Sequence, residues 1–438
     1  MGLSVPTIPQ SSSLSESPII YTVIDDSVAT GSSGYQQCLD LYVWQGTYNT
    51  DKPTSPSYVM NKYPVQGSEI YDYQPTSIFD VSSILSSYMT ASNVDEINSA
   101  TAQFPNGSIN KAFWFTVDAY SRTLVSGNYV TGSKVSTGHP RLALDGYNVW
   151  GERQILNDEV PFSESVDNFP ILSSAPVTQS FISTDVPYYF STYNLVDTNS
   201  SSLQGISSSP QPTHYQVYDI DNINIYDSYV LPCNFQGCPE LYASSSTATN
   251  QLRIEPIQIQ NFISSGSTEL VLQAYADGTP IGQSHLLKYD NCEKQYTPIR
   301  IAWKNRYGAF DQFEFTLVSR KSFQAETKQY KANALSRNLA TYNSHVGIET
   351  YYTDGFETIT VNSDYLTEDY NAYFEQLLVA EEIYLVEKQG KYTPPNQTAE
   401  LTNLQLISKN IQFKTSNVDK LINYSFVFKY GTPYKLTL

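Results

Sequence analysis

Residues 301–317 constrain the fold of this chain more than any other segment of its sequence. Two strand-like runs, residues 300–304 and 312–317, flank Gly308, which can adopt the positive φ that a tight connection often needs. In the second run apolar and polar residues alternate, which is the period-2 pattern of a half-buried strand. The segment therefore predicts two strands joined by a short turn. The side chains predicted to form its structural core, with the turn glycine, are Trp303, Tyr307, Gly308, Phe310, Phe313 and Phe315.

The composition favours a β-dominated protein. The 438 residues include 36 Tyr and 19 Phe, whereas only 16% of the residues are charged. Tyr suits sheet faces and wet interfaces because its ring is apolar and its tip is polar. Together with many β-branched residues, this predicts a mainly β fold, and the length is sufficient for two to four domains.

The front half is predicted to contain an arm and a sandwich. Residues 1–17 are rich in Ser and Pro, so we expect an extended arm that can add to the sheet edge of a neighbour. Residues 18–155 are predicted to form a β-sandwich with a short helix at 78–89. Its predicted strands are 19–24, 37–44, 57–62, 111–119 and 147–154.

Residues 156–300 are predicted to form a second β-rich domain. A Ser-rich joint lies near residues 200–212, and Asp277-Gly278 is a hairpin signal between two apolar runs. The predicted strands are 215–218, 223–230, 251–259, 270–275 and 285–289.

Residues 301–438 are predicted to form a C-terminal α+β domain. Asp354-Gly355 is the strongest short hairpin signal in the chain, and we expect it to join strands 349–353 and 356–361. Thr367 is predicted to cap one amphipathic helix that packs on a sheet. The apolar stripe of that helix consists of Tyr370, Tyr373, Phe374, Leu377 and Leu378.

The charge of the chain is unevenly distributed. Residues 1–290 hold 9 Lys+Arg against 27 Asp+Glu and so carry the whole net charge of −18, whereas residues 291–438 hold 16 of each. An acidic front repels phosphate, so we expect no direct binding of nucleic acid. A basic cluster in the C-terminal part leaves two interpretations open, a nucleic-acid surface or charge pairs at subunit contacts, and the second is favoured because Asp311, Glu314 and Glu326 are interleaved. Its members are Lys304, Arg306, Arg320, Lys321, Lys328 and Lys331.

Catalytic or cofactor-binding motifs do not emerge from the sequence. It contains no Gly-x-Ser-x-Gly elbow, Walker loop or His-Glu-x-x-His, and its four His residues lie in unrelated segments. Carboxylate pairs such as Asp25-Asp26 are predicted to be solvated. Cys233 and Cys238 leave three readings open: half a zinc site, a disulfide or ordinary thiols. We therefore predict a non-enzyme without cofactor or metal. No apolar run approaches membrane-spanning length, so we also expect no membrane insertion.

Four segments resemble parts of structural proteins of tailed bacteriophages that infect Bacteroidetes, including crAss-like phages. Residues 305–315 match an Asn-Arg-x-Gly-x-x-Asp-x-x-x-Phe pattern, and residues 366–378 resemble an acidic-aromatic helix. Residues 383–392 resemble the hairpin that follows, and residues 413–430 resemble the closing strands. The front of the chain resembles these proteins more loosely.

The resemblance implies a ring-forming component of a tail, collar or baseplate. Its expected partners are copies of itself in a symmetric oligomer and other virion proteins, and its expected location is a virion assembled in the bacterial cytoplasm. The alternative is a receptor- or glycan-binding adhesin, in which Trp150 or residues 188–190 stack on sugar rings. A tail-associated hydrolase is the third hypothesis. For the first, we expect Gly308→Val to prevent folding.

Overall fold

The protein is mainly β in its computed structural model, which confirms the predicted fold class. Its described residues cluster into two compact units: unit 1 comprises Met1–Ser180, Pro187–Tyr289 and Asn305–Asp311, and unit 2 comprises Phe181–Val186, Asp290–Lys304 and Gln312–Leu438. The boundaries of the predicted domains stay a prediction. The structure describes residues 2–9, 12–27, 34–44, 52–67, 69–71, 73–89, 112–138, 140–149, 173–181, 189–196, 214–219, 225–230, 251–258, 269–276, 279–289, 295–331, 347–388, 399–408, 412 and 422–432.

Unit 1 begins with a β-sandwich. Its strands are β1 (Leu3–Thr7), β2 (Ser12–Leu14), β3 (Ile20–Asp25), β4 (Tyr35–Trp44), β5 (Tyr58–Lys62), β6 (Val65–Gln66), β7 (Pro75–Asp80), β8 (Ala112–Val125), β9 (Asn128–Thr131), β10 (Val135–Ser136) and β11 (Arg141–Leu144). One sheet has the order β1-β3-β7-β6, and the other has the order β2-β11-β8-β4-β5, with β9 and β10 also paired to β8.

The two sheets share one hydrophobic core. Tyr21 and Phe79 from the first sheet and Leu41 and Phe115 from the second are buried in the same cluster. Each such apolar side chain contributes about 1.5–3 kcal/mol by leaving water. The central strand β4 is buried along its whole length and pairs antiparallel with β8 over ten residues, so the sandwich is built around this pair.

Three sequence predictions in this region are corrected by the structure. The arm at 1–17 is part of the sandwich, since β1 pairs antiparallel with β3 and β2 pairs parallel with β11. The predicted helix at 78–89 is only α1 (Ser82–Ser86), because Ile78 belongs to β7, which pairs with β3. The strand predicted at 147–154 is wrong for its described part, residues 147–149, which are irregular.

The rest of unit 1 forms two further sheets, except that Phe181, the last residue of their first strand, belongs to unit 2. Their strands are β12 (Thr178–Phe181), β13 (Tyr189–Val196), β14 (His214–Asp219), β15 (Ile225–Val230), β16 (Gln251–Gln258), β17 (Glu269–Ala276) and β18 (Thr279–Tyr289). One sheet has the order β12-β18-β17-β14-β15, and β13 pairs with β16. Ala276 of β17 lies opposite Thr279 of β18 in an antiparallel pair, which confirms the predicted hairpin around residues 277–278.

Unit 2 is a seven-stranded sheet with a helix. Its elements are β19 (Ile299–Lys304), β20 (Phe310–Phe315), β21 (Arg320–Lys331), β22 (Ile348–Asn362), α2 (Tyr370–Val379), β23 (Ile383–Lys388), β24 (Ala399–Leu406) and β25 (Ser425–Tyr430). The strand order is β20-β19-β23-β24-β25-β22-β21. The first two residues of β20 belong to unit 1, and the others belong to unit 2.

Three predictions in unit 2 are also corrected. Asp354-Gly355 does not turn the chain but lies inside the continuous strand β22, with Gly355 opposite Ala325 of β21. The helix begins two residues later than a Thr367 cap requires, with Asp369 as the capping residue and without a side-chain cap hydrogen bond. The strand β20 is not half-buried, because Glu314 on its polar face is buried as well.

Candidate assembly surface

The predicted turn at Gly308 is organised by Asn305 within unit 1. The side-chain oxygen of Asn305 accepts hydrogen bonds from the backbone N–H of Tyr307 (3.0 Å) and of Ala309 (3.1 Å). Its amide nitrogen donates to Asp311 at 3.1 Å, and the Ser173 hydroxyl donates to the other Asp311 oxygen at 2.5 Å. Burial raises the pKa of the Asp311 carboxyl to about 6, although both hydrogen bonds act in the opposite direction.

Gly308 is required for both its conformation and its size. Its φ of +72° lies in the left-handed region, which other residues enter at a cost of about 1–2 kcal/mol. A Cβ atom on Gly308 would lie 2.8 Å from the Cβ and 3.0 Å from the carbonyl oxygen of Asp145. The turn is therefore closed against another segment of unit 1, as the Tyr147 N–H to Arg306 carbonyl bond of 2.9 Å also shows.

The predicted aromatic stripe of α2 forms the core of unit 2. Phe374 is fully buried, and its ring centroid lies 5.1 Å from that of Phe313 and 5.1 Å from that of Phe426. Trp303 packs on Tyr373 with a centroid distance of 4.7 Å. The structure thus brings five of the eight predicted residues into this core: Trp303, Phe313, Phe315, Tyr370 and Phe374. The other three, Tyr307, Gly308 and Phe310, are buried and belong to unit 1.

A buried ion pair joins β19 and β20. The Arg300 guanidinium donates to the Glu314 carboxylate at 2.6 Å through Nη2 and at 3.1 Å through Nε. The two side chains are 3% and 2% exposed, so neither charge reaches water. Sequence reasoning assigned Glu314 to the basic cluster and did not find its actual partner, Arg300, because the pairing depends on the register of the two strands.

The antiparallel pair β21–β22 extends beyond the rest of the sheet. β22 pairs with β25 only from Thr358 to Asn362, whereas it pairs with β21 from Ile348 to Thr360. We call residues 324–331 of β21 and residues 348–356 of β22 the ribbon. Among the described strands, none pairs with β21 on its outer side, and none besides β21 pairs with the ribbon part of β22.

The ribbon exposes large aromatic and aliphatic side chains. Ile348 is 72%, Tyr351 is 64% and Tyr330 is 48% exposed, and all twelve residues of β21 are exposed. The ring centroids of Tyr330 and Tyr351 are 6.1 Å apart, and the Tyr330 hydroxyl donates to Glu349 at 2.5 Å. The ribbon is therefore an aromatic surface that the described sheet of unit 2 leaves uncovered.

The two predicted roles of the basic cluster are decided in part by burial. Trp303, Tyr307 and Phe310 are buried, so they cannot stack on nucleic-acid bases. The exposed members of the cluster, Arg320, Lys321, Lys328 and Lys331, all lie on β21. They form a basic strand edge beside the ribbon aromatics, which sequence reasoning did not separate from the buried residues.

A second exposed hairpin lies in unit 1, where Ser126 and Gly127 turn the chain between β8 and β9 with positive φ. Tyr63 is 64% exposed, and a hydrogen bond with the hydroxyl of Tyr129 in β9 lowers the pKa of Tyr63. The Arg122 guanidinium lies 4.5 Å from the centroid of the Tyr129 ring and donates to Gln36 at 2.6 Å.

The other predicted chemical groups have several outcomes. Asp25 is buried and accepts the Tyr35 hydroxyl, so its prediction as a solvated carboxylate is wrong. Burial lowers the pKa of His285 to about 4, which leaves it neutral near pH 7. Several predicted features lie outside the described residues: the cysteine pair Cys233 and Cys238, the joint at 200–212, Trp150 and Tyr188.

Within the described ranges, no group of three or more His, Cys, Asp or Glu side chains could hold a metal ion. The helices of the described part of the chain are too short or too polar to cross a membrane. No protein-family model and no curated protein matches this chain.

Proposed function

We propose that this protein is a non-enzymatic structural component of a phage virion that forms a ring in the tail, collar or baseplate. The resemblance of residues 301–317 and 366–378 to phage structural proteins supports this function. The observation that carries it is the ribbon, whose exposed aromatic side chains are of the kind that protein interfaces bury.

The ribbon is a two-stranded element whose exposed side chains favour contact with a partner. A two-stranded hairpin is only marginally stable in water without a hydrophobic face to pack against. Ile348, which lies opposite Lys331, is exposed on one side of the ribbon, and Tyr330 and Tyr351 leave an aromatic face open to solvent on the other. A neighbouring subunit would cover it, and a ring requires each copy to present two complementary surfaces. The ribbon is one such surface on unit 2.

The test is the oligomeric state of the purified full chain by analytical ultracentrifugation and electron microscopy. We expect the unmodified protein to form closed rings, and the double variant Ile348→Ser, Tyr351→Ser to sediment as a folded monomer. Tyr365→Ser is the matched control, because Tyr365 is 58% exposed but lies outside the ribbon. A monomeric unmodified protein, or one that turns over a substrate, would overturn the proposal.

A glycan-binding adhesin is the second candidate, and Tyr63 with Tyr129 is the observation that favours it. Exposed rings next to Arg122 and Gln36 combine an apolar platform with hydrogen-bonding groups, as small-ligand sites do. A glycan array with the purified protein tests this candidate. Binding that survives Tyr63→Ala and Tyr129→Ala would exclude these two rings as the sugar platform.

A further inference from the structure

We infer that the outer edge of β21 binds the acidic front part, residues 1–290, of a second copy of this chain in a head-to-tail contact. The inference rests on the proposed function, because it names the partner surface of the ribbon and its neighbouring edge. It concerns only contacts between copies.

The strand β21 is rich in basic residues. β21 carries one acidic side chain, Glu326, and four basic side chains, and all five are exposed: the basic ones are Arg320, Lys321, Lys328 and Lys331. Of these, Lys321 has its ammonium 5.5 Å from the centroid of the Tyr430 ring in β25. Among the described strands, β21 pairs only with β22, so its outer backbone groups face away from the sheet. The strand β21 therefore carries a net charge of +3, four basic side chains less one acidic, together with a row of backbone donors and acceptors, while Glu349, Asp354 and Glu357 lie one strand further in, on β22.

Charge disfavours a symmetric contact between the β21 edges of two copies. If two copies paired through β21 edge to edge, the four basic side chains of one strand would face the four of the other. Like charges at close range oppose that pairing, and lysines on edge strands are a common device against it. The edge therefore favours a partner of opposite charge over its own copy.

The same chain carries a large excess of negative charge in its front part. Residues 1–290 carry the whole net charge of −18, with 27 Asp+Glu against 9 Lys+Arg. A basic edge on one part of the chain and an excess of acidic residues in another are complementary between copies, and complementary charge steers association and fixes its register. Because the two surfaces differ, the contact repeats from copy to copy and closes into a ring if the rotation allows.

The decisive experiment is zero-length carbodiimide cross-linking of the assembled full chain, followed by mass spectrometry. An equal mixture of nitrogen-15-labelled and unlabelled protein separates cross-links between copies from those within one copy. We expect mixed-isotope cross-links from Lys321, Lys328 or Lys331 to Asp or Glu residues within 1–290.

Three other results have distinct meanings. Cross-links between copies that join these lysines to Glu349, Asp354 or Glu357 would overturn the inference while leaving self-assembly intact. An oligomer in which these lysines form no cross-link between copies would overturn it as well. A chain that stays monomeric under all conditions would overturn the proposed function itself, and this inference with it.

Charge variants provide an independent measurement. The triple variant Lys321→Glu, Lys328→Glu, Lys331→Glu is expected to raise the apparent Kd of self-association at least about tenfold. The matched triple Lys→Arg variant keeps the charge, and we expect its Kd to stay within about twofold of the unmodified value. Raising the ionic strength from about 0.05 to about 0.5 M is expected to weaken the unmodified protein more than the Glu variant.

Equal apparent Kd values of self-association for the unmodified protein and the Glu variant would overturn the inference. The lysines would then serve only to prevent unwanted strand pairing at the edge. A gel-shift assay with duplex DNA distinguishes the other polyanion. DNA binding that the Glu variant loses, with self-association unchanged, would assign the edge to nucleic acid instead.

Discussion

Gly308→Ala isolates the role of the turn that was predicted from the sequence. Alanine at φ +72° costs about 1–2 kcal/mol relative to glycine. Its Cβ would lie 2.8 Å from the Cβ of Asp145, which is closer than atoms can pack, so one segment must shift at a further cost of about 1–3 kcal/mol. The expected loss is therefore about 2–5 kcal/mol in the free energy of opening this part of unit 1.

Gly127→Ala is the matched control. Gly127 has a φ of +86°, yet a Cβ added there meets nothing within 4 Å. It therefore experiences the conformational cost of about 1–2 kcal/mol without the steric one. The difference between the two variants measures how tightly residues 305–311 pack against Asp145.

Native-state hydrogen exchange with mass spectrometry is the suitable assay, because the chain has two units and its global unfolding need not be two-state. Peptides that cover 305–311 and 141–149 should exchange faster in Gly308→Ala than in the unmodified protein, and those regions should be unchanged in Gly127→Ala. Equal effects of the two variants on their own turns would refute the packing argument. Gly308→Val adds a branched side chain, and we expect it to prevent folding of unit 1.

Three other predictions follow from buried or crowded groups. Glu314→Gln leaves the Arg300 charge buried without its counter-ion and is expected to lower the free energy of unfolding by about 3–5 kcal/mol. Replacing both residues with Leu and Met should lower it less, and denaturation of the single and double variants checks this. The Asp311 carboxyl has a pKa of about 6 in the folded protein, against a reference value of 3.8, so it binds more protons in the folded state, and the stability that it contributes falls as the pH rises from about 4 to about 6. Asp311→Asn should therefore remove this share of the pH dependence of the melting temperature, and an unchanged pH profile would contradict the assignment. Gly355→Val would place a Cβ 2.2 Å from the Phe323 ring, so hydrogen exchange in β21 should accelerate by a factor that corresponds to about 1 kcal/mol. Adding Phe323→Ala should remove the clash and restore slow exchange, and acceleration that persists in the double variant would point to another cause.

The sequence predicted well those features that depend on neighbours along the chain. The stripe at Tyr370, Tyr373 and Phe374 repeats at helical spacing, and a helix with that face buried is found there. Residues 413–430 resemble closing strands, and β25 is found within them with Phe426 and Phe428 buried. The apolar residues repeat with the period of a helix in the first case and of a strand in the second, so in each case they lie on one face, and that face is buried.

The sequence misled wherever a distant strand supplied the partner. Asp354-Gly355 has the composition of a two-residue turn, but the ring of Phe323 covers Gly355 from β21 and fills the space that a side chain would occupy. A glycine in a strand can be protected in this way, and nothing within a few residues of Gly355 reveals it. The same limit explains the missed Arg300–Glu314 pair.

The candidate assembly surface also has some features that follow from local sequence and others that depend on tertiary contacts. Local sequence determined that the chain is β-rich, that Gly308 turns a hairpin and that the charge is concentrated in the front, because these depend on residue type and short-range backbone geometry. Only the tertiary structure decided which aromatic residues are buried and which lie on the ribbon. Both sets have the same composition and alternation, and burial depends on which strands pair and where that pairing stops, which is a property of contacts between distant segments.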